Sequence, residues 1–78
     1  MSEETIAFIK DRIESLFEIF VQTNMLKEGT DIEGMKEQYV ESMITIAKDI
    51  KKRNPSIDEM TCSVHALTML GQKIMGLS

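Results

Sequence analysis

Asp58, Cys62 and His65 follow one another at steps of four and three, which on a helix puts three possible ligands for a borderline metal on one face. A structural zinc site takes four ligands, mostly Cys and His, and the chain has one Cys and one His. A second copy across a symmetric interface could complete such a site, so no metal site is expected within one chain. Cys62 and His65 also fall short as nucleophile and base. An activated thiolate needs an orienting third group and oxyanion donors in a concave pocket, and a 78-residue chain leaves little room for one. No two carboxylates share an apolar face where one could act as acid and the other as base. Gly29, Gly34, Gly71 and Gly76 are too scattered to form a phosphate-cradling loop. The expectation is a protein without catalysis and without a cofactor.

Charge is the next chemical signal. Thirteen acidic and nine basic residues leave a formal charge of −4, which argues against nucleic acid or an anionic membrane as partner. The opposing feature is the cluster Lys48, Lys51, Lys52 and Arg53 ahead of Asn54-Pro55-Ser56. It supports the alternative of a nucleic-acid-binding helical regulator, in which the segment after Pro55 would read the groove. That segment presents Asp58 and Glu59 at its leading end and has Lys73 as its one cation. The cluster also suits the negative end of a helix dipole. Asp11, Glu14 and Glu18 share one side of the first segment, as a solvated face or as a docking surface for a basic partner.

These residues must be held by helices. Ser2 is a good N-cap, with Glu3 and Glu4 in the first turn. Ile6, Ile9, Ile13, Leu16, Phe17 and Phe20 recur at helical spacing, and Gly29 is placed to stop the pattern. Thr30 to Glu33 reads as a capping box, followed by Ile32, Met35, Tyr39, Met43, Ile46 and Ile50. Asn54-Pro55 ends that run. Ser56 to Glu59 reads as a second capping box, leading into Ile57, Met60, Val64, Leu67, Gly71 and Ile74, with Gly76 as a stop. Helices are expected over 3–27, 31–52 and 57–75. Short loops make consecutive helices antiparallel, so the fold class is an all-α, three-helix up-down-up antiparallel bundle forming one domain over 1–78. Such stripes and capping boxes single out no particular family.

The apolar surface is more than one small bundle needs. Phe8, Ile19 and Leu26 lie off the main stripe of the first helix and widen its apolar sector to roughly 200°, where a surface helix buries about 100° or somewhat more. From Met60 to Gln72 no residue carries a formal charge. Cys62, Ala66, Met69 and Leu70 point away from the Met60–Ile74 stripe, and a helix neutral all round is normally covered all round. The seven methionines suit adaptable surfaces as well as core gaps.

The sequence therefore points to a small interaction module (adaptor, inhibitor or accessory subunit) acting as a homo-oligomer, most simply a dimer, with a second protein as a further possible partner. Its expected interface is Phe8, Ile19, Leu26, Cys62, Ala66, Met69 and Leu70. The acidic start resembles no secretory signal, and no apolar run reaches the roughly 20 residues of a membrane span. With one unpaired Cys, the expected compartment is the cytoplasm.

Overall fold

The computed structural model describes residues 1–74, excepting the side chain of Ile74. Three helices, α1 (Glu3–Gln22), α2 (Ile32–Arg53) and α3 (Glu59–Ile74), account for its regular structure. Among the described residues there is no strand, and no helix is long and apolar enough to cross a membrane. Gly76, the expected stop of the third helix, and Met75 lie outside the described residues.

Helix α1 begins as its sequence suggests. The Ser2 hydroxyl accepts the Thr5 N–H at 3.2 Å, capping one of the amides a helix start leaves unpaired. Its end comes five residues before the expected Leu26–Lys27 boundary. Asn24 takes a left-handed conformation (φ 55°), the Asn24 N–H donates to the Val21 carbonyl, and the Met25 N–H donates to the Phe20 carbonyl at 2.9 Å. That 6→1 and 5→2 pair is a Schellman closure. Asn tolerates the left-handed region well enough to stop the helix here. Gly29, at φ 84°, sits in a later turn closed by the Thr30 N–H on the Lys27 carbonyl.

Both expected capping boxes shift by one or two residues. At α2 the cap is Asp31, whose carboxylate accepts the Gly34 N–H at 3.1 Å, while the Thr30 hydroxyl donates back to the Lys27 carbonyl. At α3 the cap is Asp58, which accepts the Thr61 N–H at 2.7 Å. Ser56 stays in the loop. A carboxylate at either position also meets the positive helix end, which a hydroxyl does not exploit as fully.

The helices run up, down and up. Phe17 of α1 packs on Tyr39 of α2 with ring centroids 5.3 Å apart, and Lys36 reaches Glu14 at 3.0 Å. Thr5 near the start of α1 meets Glu59 at the start of α3, so these two helices are parallel. Ile9, Ile13, Phe17, Phe20, Met43 and Leu70 form the main core. A second cluster of Ala47, Cys62 and Ala66 lies between α2 and α3, which are the most extensively packed pair.

Candidate functional site

The setting of α3 decides what the molecule presents to a partner. Its buried residues are Cys62, Ser63, Ala66 and Leu70. Small side chains at 62 and 66 face Ala47, so the two helix backbones can approach closely. The Ser63 hydroxyl is buried at no cost in unmade bonds, because it donates to the Glu59 carbonyl at 3.0 Å. At 100° per residue this face is turned by roughly a third of a revolution from the line Met60, Val64, Leu67 and Gly71. That line was expected in the core. Instead Met60 is 37% exposed and Val64 46% exposed, with Leu67 half-buried. Steric fit explains the correction: periodicity marks two apolar faces, and the one with the smaller residues allows the closer approach.

The seven expected interface residues therefore separate. Cys62, Ala66 and Leu70 lie in the chain's own core and are out of reach of a partner in this fold. Phe8 and Leu26 are half-buried against the main core. Ile19 and Met69 are more than half exposed, but on different sides. Met69 rims an open groove of about 710 Å³ between α2 and α3, beside Ile46, Thr45 and Lys73. Ile19 is on α1, beyond Thr5 on the side away from Phe17 and α2.

Helix rotation assigns a different set to the α1–α3 side. Thr5 faces Glu59, and Phe8 and Ile19 lie 40–60° further round α1, away from α2, by the rotation of about 100° per residue. Met60 and Val64 lie beyond Glu59 in the corresponding sense on α3. With a rise of about 1.5 Å per residue, Phe8 is level with the interval from Met60 to Val64, and Ile19 is near the level of Gly71. Arg12 stands within this strip, between Phe8 and Ile19 along α1, with its guanidinium 5.7 Å from the centre of the Phe8 ring and paired with Asp11. The result is an apolar strip interrupted by one cation that the neighbouring Asp11 engages.

A polar clamp holds the start of α1 to the start of α3, which the sequence reading assigned only to local capping. One Glu59 carboxylate oxygen accepts the Ser2 N–H at 3.0 Å and the Thr5 hydroxyl at 3.2 Å. The Ser2 N–H, with help from the Thr5 hydroxyl, holds the Glu59 carboxyl below its ordinary 4.5. The Thr61 N–H likewise lowers the Asp58 carboxyl. Glu14, by hydrogen bond and charge, raises the Lys36 ammonium above its ordinary value.

The other chemical candidates disperse. Cys62 is fully buried, with its thiol directed at the Ile57 carbonyl at 4.0 Å. Asp58 caps α3 and His65 is exposed. Among the described residues no three His, Cys, Asp or Glu side chains gather to hold a metal ion. The basic cluster divides as well. Lys51 donates to the Pro55 and Ile57 carbonyls at 2.8 and 2.6 Å, tying down the α2–α3 loop, and Arg53 pairs with Asp49 at 3.2 Å. Lys48 and Lys52 are exposed.

Comparison with protein-family models, curated proteins and solved structures finds no match to this chain. The functional reading rests on the geometry.

Proposed function

We propose that this protein is a small non-catalytic interaction module, an adaptor, inhibitor or accessory subunit, that pairs with a second copy of itself through the α1–α3 side. The observation that carries the reading is the exposure of Ile19, Met60 and Val64 at 53%, 37% and 46% on one side of the molecule. The absence of a formal charge from Met60 to Gln72 supports it, since depletion of charge marks the centre of interfaces. The burial of Cys62 away from the exposed His65 supports the non-catalytic part. A cytoplasmic setting belongs to the same proposal and is supported by the unpaired Cys62. The nucleic-acid alternative is weakened by the engagement of Lys51 with the Pro55 and Ile57 carbonyls.

Full burial of such a side chain is worth about 1.5–3 kcal/mol, so covering three that are half exposed gives roughly 3 kcal/mol per copy. The two copies together gain roughly 6 kcal/mol against an association cost of at least about 4 kcal/mol, so the pairing is weak, about millimolar at its tightest. Sedimentation equilibrium from about 100 μM to 5 mM reaches that range. The wild type should move from 8.9 kDa toward twice that mass. Val64→Glu should stay at the lower mass with unchanged helicity. A wild type that is monomeric throughout would end the proposal.

A further inference from the structure

The α1–α2 side is chemically opposite to the strip just described. Two grooves run along it, and Lys36 lines both. Ile13 and Phe17, both almost fully buried, form the floor with half-buried Ile32 and Val40. Val21 stands in the second groove with 53% of its surface exposed. The rims carry Glu14 and Glu18 from α1 and Glu33, Glu37 and Glu41 from α2, against Lys10 and Lys36. That balance is −3, three quarters of the chain's formal −4, gathered along one groove.

Neither lysine cancels the rest. The side chain of Lys36 is only 18% exposed and is engaged by Glu14 at 3.0 Å and Glu33 at 3.5 Å. Among the described residues, Glu18, Glu37 and Glu41 take part in none of the ion pairs. From Lys10 to Gln22 the groove follows α1 for about 18 Å, some three helical turns.

We infer that the α1–α2 groove binds a cationic amphipathic helix of another protein, its apolar side chains against Val21, Ile32 and Val40 and its Lys or Arg residues facing the glutamate rims. Charge complementarity around an apolar floor is the pattern of helix-in-groove recognition. This inference does not rest on self-pairing, which uses the α1–α3 side. Titrating the Val64→Glu protein keeps the two separable.

The probe is a fluorescein-labelled 14-residue peptide made of two Leu-Lys-Lys-Leu-Leu-Lys-Leu repeats, followed by anisotropy. Saturable 1:1 binding with a Kd below about 100 μM is expected at low salt, weakening at least about tenfold at 0.5 M salt as screening shortens to a few ångströms. The same peptide with Glu for Lys should not bind, and a 14-residue oligolysine should bind at least about tenfold more weakly, because it has nothing to place on the floor. Glu37→Lys/Glu41→Lys should weaken binding at least about tenfold, while Glu28→Lys/Asp49→Lys, with the same charge change outside the groove, should have little effect. Val21→Glu gives a second reading of the floor should the double variant fail to fold. Absence of saturable binding overturns the inference. So does equal weakening by both double variants, or oligolysine binding as tight as the amphipathic peptide, since each would mean diffuse charge attraction.

Discussion

The rotation of α3 makes a sharp prediction when one residue type is placed on its two faces. Ala66 is fully buried beside Ala47 and Cys62, so Ala66→Leu forces extra carbon atoms into a seam that is close because its residues are small. Overpacking of this kind costs about 1–3 kcal/mol. A chain of 78 residues has a total stability of about 4–12 kcal/mol, so the loss is a sizeable share. For domains this size each kcal/mol moves Tm by about 4–8 °C, which places the Ala66→Leu melt roughly 5–20 °C below wild type. Val64→Leu puts the same side chain where 46% of the residue already faces water. It should stay within about 0.5 kcal/mol of wild type, as surface changes usually do. Far-UV circular dichroism melts at 10 μM or below, where self-pairing is negligible, together with urea titrations, read both effects. If Val64→Leu is the damaging change and Ala66→Leu the silent one, α3 is seated the other way round. The α1–α3 strip would then be core, and the pairing proposal would fall with it.

Two further outcomes follow from the same contacts. Gly71 is inside α3, and a Cβ built there meets nothing within 4 Å, so Gly71→Ala should stabilise by about 0.5–1 kcal/mol, seen as a higher urea midpoint with an unchanged slope. The Glu59 carboxyl lies below its ordinary 4.5 in the folded chain, chiefly through the Ser2 N–H, so its contribution is present above the unfolded value and lost as pH falls through the folded one. Stability measured in urea from pH 6 down to pH 3 should therefore decline, and Glu59→Gln should flatten the decline. An equally steep curve for the variant would refute the clamp.

What could be read from the residues differs between elements for physical reasons. The α1 stripe was legible because its long residues, Ile9, Ile13, Phe17 and Phe20, are the ones that are buried; size and burial agree there. The end of α1 was misplaced because Asn24 does what Gly29 was expected to do, and a left-handed Asn looks like any other polar residue in a row of letters. Capping was right in kind and shifted in place. Ser, Thr and Asp stand next to each other at both later starts, and only backbone geometry selects Asp31 and Asp58. The link from Glu59 to Ser2 joins residues 57 apart, which no local pattern encodes.

The charge-free run in α3 shows why the expected interface dispersed. A helix without ionised residues was taken to be covered all round, but three different sectors supply that neutrality. Cys62, Ala66 and Leu70 are neutral because the chain's own core covers them. Thr61, His65, Thr68 and Gln72 cluster at the opposite side, exposed and sufficiently polar without charge. Met60 and Val64 are neither covered by the core nor polar and, with half-buried Leu67 and Gly71, border the α1–α3 strip; the equally exposed Met69 stands apart, on the α2–α3 groove. The surface left for a partner therefore contracts from a whole helix to about a third of its circumference. Phe8 and Ile19 extend that surface from a second helix. The acidic groove is separated from it by the outer face of α1, round which Glu14 and Glu18 lie about 80–140° from Phe8 and Ile19. One short helix thus supplies a wall to each surface, which is how a chain with so small a core could present two chemically distinct faces at once.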